Sequence, residues 1–311
     1  MLVAKGMNAQ KSSLIIGASG LIGSNLYTTL QCRREQVIGT YLSNPLPGLE
    51  SLDVSDEAAI ERLLDRVQPG IVYFPAANPN VEWIEANPEA ARAVNVTAPQ
   101  RFIRRLENSG VVFVYYSTEY VFDGVDGPYT ENDVPHPLSV YGQHKWEMEQ
   151  FVQETLPDTL VLRVTVVYGW EARGKNFAHR MVNNFRSGNM QLRVPVDQVS
   201  SPSYAPNVAA ASVELVQAGE SGTFHVCGDA LANRYEFACA IADTFDLPKS
   251  GIVPVKTDEL VQKAARPLRA GMIVTKAQSR LKTPLLGYVA GLQAMKSTEI
   301  QRASVVSDLM R

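Results

Sequence analysis

One short run constrains this chain more than any other: Gly17-Ala18-Ser19-Gly20-Leu21-Ile22-Gly23, directly after an apolar stretch at residues 14–16 and directly before an amphipathic one at 21–30. Glycine has no Cβ. The first of the three can therefore turn sharply, the second lets backbone approach a bulky anion, and the third lets a helix lie against a strand. A helix that begins here turns N–H groups and a partial positive charge toward that anion. The spacing alone also fits an ordinary glycine-rich turn. With a strand before it and a helix after it, the run predicts a dinucleotide pyrophosphate site contacted by Gly17, Ser19, Gly20, Leu21, Ile22 and Gly23.

The same alternation continues. Strand-like runs at residues 36–40, 71–74, 111–116 and 160–163 are separated by helix-like ones at 56–66, 88–109 and 140–156, whose apolar residues recur three and four apart. This is the pattern of an α/β fold, a doubly wound Rossmann-type parallel sheet. After Tyr168 the alternation fades into helices at 177–186, 208–218 and 234–245, a strand at 223–226 and a polar, proline-punctuated stretch at 197–206. The expected organisation is a disordered leader or alternative start over 1–11, a dinucleotide-binding domain over 12–168, and a smaller C-terminal substrate-binding lobe over 169–311 interleaved with it.

Composition narrows the function classes. With 29 Lys+Arg against 32 Asp+Glu, the formal charge is -3, so there is no basic surplus for general binding to nucleic acid. No apolar run reaches the length of about 18 residues needed to span a membrane. Cys32, Cys227 and Cys239 have no CxxC spacing, which fits a reducing cytoplasm and argues against a disulfide framework or zinc ribbon. His136, His144, His179 and His225 lack paired spacing, so no metal site is expected. His144 is expected to face solvent, and His225 to be a core histidine rather than one that lines the substrate pocket. Cys227 and Cys239 read as small core residues.

The second strand ends Gly39-Thr40-Tyr41-Leu42-Ser43, with no carboxylate to hold a ribose 2′-hydroxyl and repel a 2′-phosphate. NADP(H) is therefore the preferred cofactor and NAD(H) the alternative, with Thr40 among the cofactor contacts. The nearest cations, Arg33 and Arg34, precede the strand. Asp53 and Val54 suit the adenine edge, although Asp53 or Ser55 serves equally well as the cap of the next helix. Ala76, Ala77 and Asn78 are small residues where a cofactor crosses the sheet edge.

Tyr141 and Lys145 stand four apart and share one face of a helix. Reduction of a ketone by hydride needs a proton at oxygen, and a phenol supplies it if a nearby cation lowers its pKa. Ser117-Thr118 closes the preceding strand, which puts hydroxyls at the carboxyl edge of the sheet, with Thr118 as the substrate-oxygen contact. A solvated helix face is the plain alternative for Tyr141 and Lys145. The order of glycine loop, hydroxyl pair and YxxxK favours catalysis. Among the remaining polar residues, Arg266 either grips a nucleotide diphosphate or anchors the tail, and Asp197 and Gln198 either bind substrate or order their loop.

Taken together with the run 93–99 (Ala-Val-Asn-Val-Thr-Ala-Pro), the run 117–124 (Ser-Thr-Glu-Tyr-Val-Phe-Asp-Gly), Gly127-Pro128-Tyr129, Asn176-Phe177, Ser201-Pro202 and Ala265-Arg266-Pro267, the sequence resembles the extended short-chain dehydrogenase/reductases. More narrowly it resembles the dTDP-4-dehydrorhamnose reductase family, to which the regulatory beta subunit of methionine adenosyltransferase is also similar. The resemblance covers most of the chain. It implies an NADP(H)- or NAD(H)-dependent reductase of the 4-keto group of a nucleotide-linked 6-deoxyhexose, with Thr118, Tyr141 and Lys145 catalytic and Ser117, Glu119, Asn176, Gln198 and Arg266 on the substrate. It also implies a homodimer, or an enzyme partner if the chain is a non-catalytic regulatory subunit. Two departures stand out. Glu119 replaces the family's usual Asp, and Thr165-Val166 replaces a Ser-Trp pair, so the sugar's aromatic packing surface must come from Trp170 or Trp83 if it exists.

Overall fold

The computed structural model describes residues 12–299; the leader expected over 1–11 lies outside the described residues. Strands β1 (Ser13–Ile15), β2 (Val37–Tyr41), β3 (Leu49–Ser51), β4 (Ile71–Phe74), β5 (Val112–Thr118) and β6 (Thr159–Val164) share one parallel sheet with a seventh strand, Gly222–His225. The order across the sheet is Gly222–His225, β6, β5, β4, β1, β2, β3, every neighbouring pair being parallel. Parallel strands are covered on both faces, which is why β1, β4 and β5 read as continuous apolar runs rather than alternating ones. The two faces use alternate residues: Ile15, Val114 and Tyr116 lie in one core, Leu14, Phe113 and Tyr115 in the other.

The connecting helices are α1 (Leu21–Cys32), α2 (Glu57–Val67), α3 (Val81–Ala86), α4 (Pro88–Arg92), α5 (Ala98–Arg104), α6 (Val140–Thr155), α7 (Phe177–Arg186), α8 (Ala205–Gln217) and α9 (Arg234–Thr244). Helices α1 and α8 pack together on one face of the sheet; α2, α5 and α6 cover the other. The chain beyond Tyr168 thus supplies a strand and a helix to the central sheet as well as a third core, in which Met181, Val182 and Phe185 of α7 meet Phe237 and Ile241 of α9. No helix among the described residues is long and apolar enough to cross a membrane.

Two of the differences from the sequence reading lie in the dinucleotide-binding half. The single helix expected over 88–109 is divided into α4, a π turn at Ala93–Thr97, and α5. Pro99 has no N–H to continue an α ladder, and the wider turn, in which the Ala98 amide donates to Ala93, absorbs the break. Strand β3 escaped notice because three residues of polar edge strand, Leu-Glu-Ser, carry no periodic signal.

Candidate active site

Loops from the carboxyl ends of β1, β2, β4, β5 and β6 meet on one edge of the sheet, where ligands of open parallel sheets bind. The first is the glycine run. Gly17 has a φ of +93°, and a Cβ there would lie 3.0 Å from Ala76. Thr40, almost fully buried, holds the turn: its hydroxyl lies 3.3 Å from the Gly17 amide and 3.3 Å from the Ile15 carbonyl. Gly20 is the exposed N-cap residue of α1 and provides no side-chain cap, which keeps the helix terminus available to an anion. At Gly23 a Cβ would come within 2.2 Å of the Gly17 carbonyl oxygen, so α1 rests directly on the turn. Gly23→Ala is therefore expected to cost about 1–3 kcal/mol through overpacking against backbone. Urea unfolding checks this, and an unchanged midpoint would refute it.

Arg33 and Arg34 follow α1 at its far end, about 18 Å from the glycine turn at 1.5 Å per residue. Arg33 donates to the Gln217 side chain at 2.9 Å. Neither capping expectation for α2 holds: Asp56 is the cap, accepting from the Ala59 amide at 3.0 Å. The Asp53 carboxylate instead closes a local turn, accepting from the Ser55 amide at 2.8 Å and hydroxyl at 2.7 Å. Val54 is half-buried against the core that contains α2. Past β4, Ala76 donates from its amide to Ile16 at 3.1 Å. Asn95 of the π turn grips the Asn78 backbone from both sides, accepting from its amide at 2.8 Å and donating to its carbonyl at 3.0 Å.

At the end of β5, Thr118 is buried, and its hydroxyl accepts from the Tyr120 amide at 3.2 Å. Its side chain also acts on Tyr141, favouring the ionised phenol. The Tyr141 ring meets the Tyr120 ring edge-on, with centroids 5.6 Å apart. Burial, reinforced by Tyr120, holds the Tyr141 phenol well above the usual tyrosine range, and the Thr118 contact opposes this only in part. Tyr141 therefore keeps its proton at neutral pH and is available as a donor. The lowering expected from Lys145 is not among the causes: the Lys145 amine donates to the Tyr116 carbonyl at 2.7 Å and lies 4.7 Å from the Tyr115 ring centroid. Burial brings that amine down to about 8, against the opposing charge of Glu149.

Glu119 follows Thr118 into a 3-10 turn and is buried, with Oε2 lacking a hydrogen-bond partner among the described residues. Burial pushes its carboxyl up to about 7, with Arg234 and Thr165 pulling the other way. The folded protein thus holds this proton up to about pH 7, whereas the unfolded chain releases it near 4.5. Between those values the native state binds more protons, so stability from this group is fully present below the lower pKa and declines as pH rises to the upper one. Glu119→Gln is expected to remove that decline and to raise stability at pH 8 by about 2–3 kcal/mol, with little change at pH 4. Urea unfolding across this range reads it, and parallel curves for the two proteins would refute it.

Of the other expected substrate contacts, Asn176, Gln198 and Arg266 have internal partners. Ser117 is buried, its hydroxyl unpartnered among the described residues. Asn176 caps α7 through the His179 amide at 3.2 Å and donates to the Gly169 carbonyl at 2.8 Å. Gln198 donates to the Thr257 hydroxyl at 3.1 Å, and Asp197 accepts from the same hydroxyl at 2.6 Å, so both order their loop. Arg266 pairs with Glu82 of α3 and donates to the Tyr120 hydroxyl at 2.8 Å. Trp170 belongs to the packing of the third core, against His179 and Phe245, with its indole donating to Met295.

His144, expected in solvent, is buried on α6, which contacts α3, α5 and the π turn as well as the sheet; burial and Arg92 lower its pKa. His225 lies fully buried beside Arg163. Three residues were not identified from sequence: Tyr120, Glu82 and Glu149. Only Glu149 left a signal, its place four residues after Lys145 on one helix.

A family model described as RmlD substrate binding domain matches residues 11–300. A probable low-salt glycan biosynthesis reductase, Agl14, of Haloferax volcanii is 35% identical over 280 residues, covering 86% of this chain and 92% of that protein. Methionine adenosyltransferase 2 subunit beta of Xenopus laevis is 32% identical over 263 residues, covering 83% and 78%. In structure, the chain is similar to a dTDP-4-dehydrorhamnose reductase from Bacillus anthracis solved in complex with NADP, at a TM-score of 0.83 and 24% identity, covering 92% of this chain and 99% of that one.

Proposed function

This chain belongs to the RmlD substrate binding domain family, and we propose that it is an NADP(H)-preferring reductase of the 4-keto group of a nucleotide-linked 6-deoxyhexose. The observation that carries this reading is the meeting, on one sheet edge, of a protonated Tyr141 under the influence of Thr118 with a glycine turn whose helix lacks a side-chain cap. The turn fits a dinucleotide: Gly17 and Ala76 approach too closely for any larger residue, and Gly20 leaves the helix terminus exposed.

NADPH, when bound, supplies the hydride that reaches the carbonyl carbon. The residues of this chain do the rest. Tyr141 passes its phenolic proton to the carbonyl oxygen, so that ketone, hydride and proton together give the alcohol. Thr118 orients that oxygen, and Lys145 holds the nicotinamide ribose. Ser19, Leu21 and Ile22 would join the three glycines in holding the pyrophosphate, Asp53 and Val54 would border the adenine, and Ala76, Ala77 and Asn78 would line the crossing. Glu119 and Arg266, which adjoin the Thr118–Tyr120–Tyr141 cluster, face the sugar nucleotide, while Asn176 and Gln198 shape the loops around it.

The carboxylate-free end of β2 supports NADP(H) over NAD(H), as does the NADP found with the Bacillus anthracis reductase. A second reading, a non-catalytic NADP-binding regulatory subunit, is favoured by the 32% identity to methionine adenosyltransferase 2 subunit beta. NADPH oxidation, followed by absorbance with dTDP-4-dehydrorhamnose and related 4-ketosugar nucleotides, separates the two. The reductase consumes NADPH only when a ketosugar is present. Tight NADPH binding with no turnover on any of them supports the regulatory subunit.

A further inference from the structure

Lys145 is an ammonium in a place that disfavours one. It is 6% exposed, and a buried amine sheds its proton unless an anion or acceptor favours the charged form. The Tyr116 carbonyl is one such partner. The anion is Glu149, one turn further along α6 and fully buried. Glu149 cannot swing away. Arg163 on β6 forks onto its carboxylate with contacts of 2.7, 3.0 and 3.2 Å. The guanidinium is itself wedged over the Phe122 ring, 5.0 Å from its centroid, and lies 3.5 Å from His225 Nε2.

The other groups around α6 do not replace this anion. Burial keeps Tyr115 and Tyr141 protonated, and burial together with Arg163 holds His225 neutral, with a pKa of about 3. On the outer side of the helix Glu147 is taken by Arg92, next to His144, and Glu85 accepts from the Val140 amide at the helix start. Glu119, beyond the Tyr141 end, acts on Tyr141.

We propose that Glu149, locked by Arg163, is a positioning residue that holds the Lys145 amine cationic and directed at the carboxyl end of β5. The consequence for cofactor binding rests on the reductase reading above; the electrostatic role does not. NMR titration of the Lys145 amine in the full chain without ligand tests it, the signal being identified by its loss in Lys145→Arg. Wild type is expected to release this proton near pH 8. Glu149→Gln is expected to release it at least about one pH unit earlier, a tenfold change in the charged fraction. Arg163→Gln, which leaves the Glu149 charge uncompensated, is expected to release it later.

Opposite shifts from the two partners of one ion pair are not what a purely structural role produces. Equal midpoints in wild type and Glu149→Gln overturn the proposal. If Glu149→Gln does not fold, Glu149→Gln/Arg163→Gln is read against Arg163→Gln alone, and equal midpoints in those two overturn the proposal. NADPH titrations across the same pH range are expected to weaken at each variant's own midpoint. NADPH that binds no variant at any pH sinks the reductase reading and leaves the Lys145 midpoints to decide the role of Glu149.

Discussion

Tyr141→Phe is expected to lower the turnover of a 4-ketosugar nucleotide by roughly 10²–10⁴-fold, the usual contribution of a positioned proton donor, with NADPH binding intact. The phenol is the group in the cluster that carries a transferable proton at the right place. Burial and the neighbouring Tyr120 keep it protonated, with Thr118 opposing this only in part. Phenylalanine keeps the ring and its edge-on contact with Tyr120 while removing the proton. The loss belongs in kcat, because the missing interaction is one made as charge develops on the carbonyl oxygen. NADPH binding measured by fluorescence on the same preparation separates a lost donor from a collapsed site. Wild-type turnover in the variant would refute Tyr141 as the donor.

Breaking the buried pair beneath the site is the change expected to cost most in stability. Arg163 and Glu149 are 3% and 0% exposed in their side chains, and their closest contact is 2.7 Å. Arg163→Met leaves a carboxylate in the interior between α6 and β6 with its strongest partner gone, a change expected to destabilise by about 3–5 kcal/mol. Arg163→Met/Glu149→Leu, which removes both charges, is expected to recover most of that loss, because neither partner then has to be desolvated alone. Urea unfolding of wild type, both single variants and the double variant forms a double-mutant cycle. Additive losses would show that the two side chains are not energetically coupled. The same double variant should still release the Lys145 proton earlier than Arg163→Met does, since restored stability does not restore the anion.

The fold was legible because it rests on local patterns. The glycine run, the apolar strands and the helical spacing each follow from backbone geometry over a few residues, and the parallel sheet follows from their alternation. Elements without periodicity were not legible: the three-residue edge strand β3, and the π turn at Ala93–Thr97 that divides the expected helix. In the candidate site, Thr118, Tyr141 and Lys145 could be picked out as residue types that suit carbonyl reduction. Their partners could not. Glu82 and Arg266 are 184 positions apart and meet only because α3 and the 263–267 segment are brought together, and His144 is buried on a helix that contacts α3, α5 and the π turn, which sequence periodicity on α6 alone does not reveal.

By itself, then, the sequence determined which side chains are available and which secondary structure carries them, because both are properties of residue type and short-range spacing. The tertiary structure decided protonation and commitment. Whether Tyr141 keeps its proton, whether Lys145 holds its charge, and whether Arg266 is paired depend on burial and on charges from distant parts of the chain. The energy of a charge is set by everything within several ångströms of it, and only the folded chain brings those groups together.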